Sequence, residues 1–301
     1  MKKIVGYLRD YLKAVDKRLL LLATLFTALL VWANYGLGLN KIIRQQDVTM
    51  QYLWWYLIFL FAFGTGYWLY YRFLPSSINA TSRFWALLLL APAIFSWKMV
   101  YALSVRFSAD TPVNSYWTAV TYWPFKVVVV TAILYLVYKS GEKEASFYGV
   151  TLKNFSARPY LLMLLLMVPL VALASTQPDF LAMYPRIQNI AFLQQPGKGW
   201  HKLLYEIAYG LDFFSIELFF RGFLLFAFAK YAGQAVILPM AIFYCTIHFG
   251  KPMGECISSY FGGLILGIVA YRTQTIMGGF FVHVGIAWLM ELGGYLGKEY
   301  F

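Results

Sequence analysis

The stretch "FFSIELFFRG", residues 213–222, places Glu217 and Arg221 inside a run of phenylalanines. Two of the chain's 3 histidines have similarly apolar surroundings: His248 ends "AIFYCTIHFGKP", and His283 sits within "MGGFFVHVGIAWLME". A carboxylate and an imidazole can take a proton from water and return it, and the same groups suit a divalent metal. Ionisable residues within an apolar segment are costly, and they face a bundle interior or a water-filled cavity. Glu217 and Arg221 are four positions apart, so on an α-helix they share one face and can pair. Alone, such a pair is as well explained as a neutralised stitch between helices. Two histidines on two further helices favour chemistry, because Glu, His and His from three helices can bind a metal or activate water. His201 falls in a connecting segment and is set aside.

The elements that must carry these residues are membrane helices. The chain of 301 residues is 61% hydrophobic, 20% aromatic and 13% charged, against about a quarter charged in soluble domains. Taking about 20 residues as the length that crosses a bilayer, there are about nine apolar runs. They cover 18–39, 52–71, 85–105, 115–138, 159–176, 203–229, 233–249, 257–272 and 276–294. The expected fold is an all-α, polytopic membrane helix bundle with about 8–9 transmembrane helices. The run after residue 18 is too long for the apolar core of a cleaved signal peptide and reads as a first span. The expected location is a cell membrane, the inner one if the source is bacterial, with the lipid bilayer as the main partner.

The net charge of +12 does not point to nucleic acid. Lysines and arginines fall mostly between the apolar runs, where they act as topology signals and interfacial anchors. The basic start "MKKIVGYLRDYLKAVDKR" suits the surface of an anionic leaflet. A cytoplasmic N-terminus would also put Lys139, Lys143, Lys153 and Arg158 inside. Those residues belong to the polar linker "KSGEKEASFYGVTLKNFSARP", which separates an N-terminal membrane region, residues 1–140, from a C-terminal bundle, residues 145–295. The connector 175–200 is rich in Pro and Gln, and long ordered connectors are often functional. Gly263 and Gly267, and Gly278 and Gly279, mark close helix approaches. Pro169 is a candidate kink in the fifth run. The sequons at Asn79 and Asn154 are short enough to arise by chance. Cys245 and Cys256 are read as small packing residues, since two cysteines make no disulfide framework.

The segments "IELFFRG", "YCTIHFGKP" and "FFVHVGIA" together resemble the CAAX-protease and bacteriocin-processing (Abi) family of intramembrane peptidases, which includes the type II CAAX prenyl endopeptidases. That family carries Glu-Glu-x-x-x-Arg, Phe-x-x-x-His and His-x-x-x-Asn motifs in this order. The resemblance is strongest over 205–295. Glu217 falls on the second Glu, Arg221 on the Arg, and His248 and His283 on the two histidines. Ile216 stands at the first Glu, Tyr244 at the Phe and Ala287 at the Asn. The resemblance implies a metal-dependent endopeptidase acting on a membrane-associated or prenylated peptide. Glu217, His248, His283 and Arg221 would be its catalytic residues, and Glu217, His248 and His283 the ligands of a divalent ion, zinc first.

The departures carry a chemical cost. Ile216 accepts no proton and Ala287 donates no hydrogen bond. Losing one oxyanion donor costs about a hundred- to a thousandfold in rate, and losing a general base a similar factor. Glu217 can take over as base, with Asp212 and Glu255 as lesser spare carboxylates. The alternative is a catalytically inactive family member that binds peptides or a partner protein in the same cavity. A third reading, a transporter, rests on Lys98 and Lys126 within apolar runs, where snorkelling or internal pairing is the simpler account. No His-Glu-x-x-His and no Gly-x-Ser-x-Gly occurs.

Overall fold

The computed structural model describes residues 2–141, 146–153 and 155–300. Lys143, the residue 145 boundary and the Asn154 sequon lie outside them. All regular elements among the described residues are helical. In chain order they begin with α1 (Lys2–Ala14), α2 (Lys17–Gly36), α3 (Leu39–Arg44), α4 (Val48–Phe73) and α5 (Ser82–Val100). Then come α6 (Thr111–Lys139), α7 (Ala157–Ala174), α8 (Pro178–Met183) and α9 (Gly199–Glu217). A π-helical segment, Leu218–Ala227, leads into α10 (Phe228–Ala232). The chain closes with α11 (Ile237–Thr246), α12 (Met253–Thr273) and α13 (Met277–Tyr300).

The starts of several helices follow from local chemistry. Asp16 accepts from the Arg18 and Leu19 amides at 2.8 and 3.2 Å and caps α2. Asp47 does the same for α4 through Thr49 and Met50. Each cap satisfies amides that the first helical turn leaves without an internal partner. α7 continues through Pro169.

Seven helices among the described residues, α2, α4, α5, α6, α7, α12 and α13, are long and apolar enough to cross a membrane. The all-α, multi-pass membrane reading therefore stands. Two of the nine expected runs do not form a single spanning α-helix. Run 203–229 divides into α9, the π-helical segment and α10, and run 233–249 into a 3-10 turn, Gly233–Val236, and the 10-residue α11. Hydropathy registers an apolar stretch but is blind to a change of helical hydrogen bonding or to a turn inside it.

The described helices group into two compact units, each assembled from separate stretches of chain. The first comprises Met1–Tyr101, Glu142–Asn154 and Phe219–Ile276. Its centre is α11, all of whose residues are buried, as expected of a helix that is apolar on every side. α11 packs on α2, α4 and α12. A Cβ on Gly66 of α4 would come 2.6 Å from the backbone of Pro239, so α4 and α11 meet at a site only glycine fits. Gly263 and Gly267 of α12 likewise face Ala241, Tyr244 and Met240 of α11. Phe59, Phe63, Phe95, Phe219, Phe220 and Phe243 fill the remaining space with tilted and edge-on ring contacts at 4.9–6.0 Å.

The second unit comprises Ala102–Gly141, Phe155–Leu218 and Met277–Phe301. α13 packs on α7, α8 and α9, and α6 packs on α9. One apolar core joins Tyr116, Val120 and Trp123 of α6 to Tyr205, Ala208 and Tyr209 of α9 and Ala287 of α13. The connector 175–200 is ordered: it contains α8 and two 3-10 turns, Arg186–Asn189 and Ala191–Gln194. The buried Glu291 of α13 holds it, accepting from the Arg186 and Ile187 amides at 2.9 and 3.4 Å. Gly294 lies so close that any Cβ there would overlap the Tyr184–Pro185 backbone.

Candidate active site

Glu217 is the last residue of α9 and is fully buried, and the boundary between the two units falls one residue later. Its carboxylate meets α13. His283 Nδ1 lies 3.0 Å from Glu217 Oε1. A carboxylate accepts, so the imidazole donates through Nδ1, and the second ring nitrogen, Nε2, carries the lone pair in the neutral tautomer. The His283 side chain keeps 14% exposure where Glu217 keeps none. This is the arrangement of a base whose ring is oriented by a buried anion.

Three neighbours explain why the pair forms. Gly279 lies one turn before His283 on α13, and any Cβ there would overlap Glu217 Oε2. Glycine at this position is what lets the carboxylate reach the helix. Gly278 gives the same clearance to the ring of Tyr160 on α7. Phe213, one turn before Glu217, lies with its ring centroid 4.5 Å from that of His283. The imidazole is thus fixed by a hydrogen bond at one nitrogen and by an aromatic ring.

An apolar cavity of about 560 Å³ opens beside these elements. Its walls are Tyr160, Leu161 and Leu164 of α7, Ile207 and Leu211 of α9, and the α13 residues that flank His283, among them Phe281 and Val284. The volume lies within the range of small-molecule sites, about 300–1,000 Å³.

The other two expected residues belong to the first unit. Arg221 lies in the π-helical segment and is the largest fully buried side chain among the described residues. Its guanidinium carbon sits 3.9 Å from the ring centroid of Tyr244, a cation–π contact that the surrounding phenylalanines shield from water. The Tyr244 ring in turn lies edge-on to His248, with centroids 4.8 Å apart. His248 donates from Nδ1 to the Tyr244 carbonyl at 3.0 Å, which leaves Nε2 as its accepting nitrogen. Arg221, Tyr244 and His248 therefore form one stack, and Glu217 with His283 forms one pair. The sequence places Arg221 on a common α-helical face with Glu217. The pairing of Glu217 with His283 has no such signal, because it joins residues 66 apart. The place of Tyr244 under Arg221 has no signal in the sequence beyond a Tyr at the position where the resembling family has Phe.

The remaining expectations resolve as follows. Asp212 is half-buried and accepts from Ser215 Oγ at 3.2 Å. Glu255 forms an ion pair with Lys251 at 3.2 Å. Lys98 and Lys126 are buried, and they lie against the rings of Phe95 and Tyr122. His201 belongs to the first turn of α9 and packs against Tyr116 and Phe192. Ile216 is half-buried, and Ala287 is packed into the aromatic core of the second unit. Among the described residues, no group of three or more His, Cys, Asp or Glu side chains is gathered so that it could hold a metal ion.

Residues 200–289 match the family model of the type II CAAX prenyl endopeptidase Rce1-like domain. That span holds Glu217, Arg221, His248, His283 and Ala287, and the resemblance seen in the three motifs is borne out over it. The match covers less than a third of the 301-residue chain, which has 7 helices among the described residues long and apolar enough to cross a membrane. No curated protein and no solved structure matches the chain.

Proposed function

We propose that this chain is an intramembrane endopeptidase that hydrolyses a peptide bond of a membrane-associated substrate. The observation that carries the reading is the 3.0 Å contact between the buried Glu217 carboxylate and His283 Nδ1, on helices that also wall the apolar cavity.

His283 Nε2 takes a proton from water as the oxygen attacks the scissile carbonyl carbon. Glu217 stabilises the imidazolium so formed and keeps the ring in the tautomer that leaves Nε2 basic. When the C–N bond breaks, the same nitrogen returns the proton to the leaving amine. Acid–base catalysis of this kind contributes about 10²- to 10⁴-fold. The cavity takes an apolar part of the substrate, a prenyl chain or a hydrophobic side chain, and so fixes the peptide relative to His283. His248, with Nδ1 committed to Tyr244, is a second acid–base group, and Arg221 supplies the fixed positive charge of the motif.

A divalent ion, zinc first, would draw on Glu217, His248 and His283 and would act on water and carbonyl as a Lewis acid. The described residues do not present these three as a gathered donor set, so the steps above run through side chains alone. Metal content of the purified protein is a separate measurement.

A second reading has its own observation. The two positions where the resembling family carries Glu and Asn are Ile216 and Ala287, and Ala287 is sealed in an apolar core. The chain would then bind the same peptides without cutting them. One experiment separates the two: prenylated and unprenylated peptides are incubated with the protein in detergent, beside a folded His283→Ala variant. Cleavage lost in the variant supports the peptidase. Saturable peptide binding with no cleavage, unchanged in the variant, supports the binding protein.

A further inference from the structure

We propose that Cys245 and Cys256 are a reversible thiol–disulfide pair that fastens the segment carrying His248. Both are free thiols with no solvent exposure. Cys245 lies in the last turn of α11 and Cys256 in the first turn of α12. Their sulfurs are 4.0 Å apart, and Cys245 Sγ donates to the Cys256 carbonyl at 3.3 Å. A disulfide bond is about 2.05 Å long, so rotation of two unbranched side chains must close about 2 Å. Ordinary packing of small residues brings two thiols together only by chance, whereas here each sulfur also faces the backbone of the other residue.

The segment between them is already pinned from three directions. His248 Nδ1 donates to Tyr244 O. Asn40 Nδ2 donates to the Phe249 carbonyl at 3.1 Å, and the Tyr35 hydroxyl donates to the Lys251 carbonyl at 2.7 Å. All these partners belong to the first unit. A covalent link would close the two ends of that segment as well, leaving His248 in a ring of fixed chain.

The oxidant is hydrogen peroxide, a small neutral molecule suited to reaching sulfurs without exposure. One thiol gives up its proton, its sulfur attacks an oxygen of the peroxide to become a sulfenic acid, and the hydroxide that leaves takes up that proton as water. The second thiol attacks that sulfur, the S–S bond forms, and a second water leaves. The two electrons lost by the sulfurs reduce the peroxide, and a dithiol reverses the step. The cross-link stands independently of the peptidase reading.

The test uses the full-length protein in detergent, treated with peroxide, alkylated in denaturant and digested with chymotrypsin, which cuts at Phe249 between the two cysteines. Non-reducing mass spectrometry should find the two peptides joined and lighter by two hydrogen atoms, and dithiothreitol should separate them. The Cys256→Ser variant should give no such species. Met253, 50% exposed beside the pair, reports that oxidant reached the region. Met253 sulfoxide with both thiols still fully alkylated overturns the proposal, as does irreversible sulfinic acid in place of the link. Amide exchange over residues 247–251 should slow in the cross-linked form, and unchanged exchange there overturns the fastening.

Discussion

Glu217 and Arg221 are four residues apart, both ionisable and both without solvent exposure, yet their surroundings differ in kind. Arg221 belongs to the first unit, in a π-helical segment whose residues are all buried, with its guanidinium over the face of Tyr244. Glu217 belongs to the second unit, where its partner is an imidazole that keeps some exposure and whose helix walls a cavity. A buried arginine over an aromatic face is held there by packing and by the ring quadrupole. A buried carboxylate on a histidine leaves the second ring nitrogen available to a reactant. Burial alone therefore does not mark a catalytic charge. The arginine stack belongs to the packing of the first unit, and the carboxylate–imidazole pair gives the second unit an acid–base group.

The contrast can be broken by substitution. The largest effect should come from His283→Ala, which lowers kcat/KM for peptide cleavage by about 10²- to 10⁴-fold; activity within a few-fold of wild type, in a variant with an unchanged thermal midpoint, would end the claim that the pair is chemical. Gly279→Ala comes next. Its Cβ displaces the Glu217 carboxylate, and a displacement of about 1 Å costs about 10²-fold in rate, with about 1–3 kcal/mol of stability lost to overpacking. Rates and denaturation midpoints measured together check both figures.

On the arginine side the sign of the contrast reverses. Tyr244→Leu removes the ring under Arg221 and should cost about 0.5–2 kcal/mol of stability, with turnover falling less than in His283→Ala; a larger loss of turnover than of stability would move Arg221 into the chemistry. The smallest effect belongs to Tyr244→Phe. The ring remains, so stability should stay within about 0.5 kcal/mol of wild type, measured by thermal unfolding in detergent. A larger shift would assign the contact to the Tyr244 hydroxyl.

Much of the site was readable before any fold was known. Glu217, Arg221, His248 and His283 stand out because charge and imidazole are rare in apolar runs, and the small residues Gly263, Gly267, Gly278 and Gly279 do mark close approaches. What could not be read is which of the four residues meet. Neither the 3.0 Å contact of Glu217 with His283 nor the change to π-helical hydrogen bonding at Leu218 has a signal in local spacing. The expected count of about 8–9 spanning helices is approximate, since α11 is as apolar as a membrane span and yet is only 10 residues long.

The sequence by itself determined that the chain is helical and membrane-embedded, because a 61% hydrophobic polypeptide must satisfy its backbone within lipid. It also determined which side chains are available for chemistry. Tertiary structure alone decided that the Glu217 carboxylate meets His283, that Arg221 lies over Tyr244, that Glu291 holds the 175–200 connector and that two cysteines face each other. The physical reason is range. Composition and periodicity follow from each residue's own transfer free energy and its neighbours within a turn. Pairings such as Glu217 with His283 join residues 66 apart and exist only where glycine clearances bring particular helix faces together.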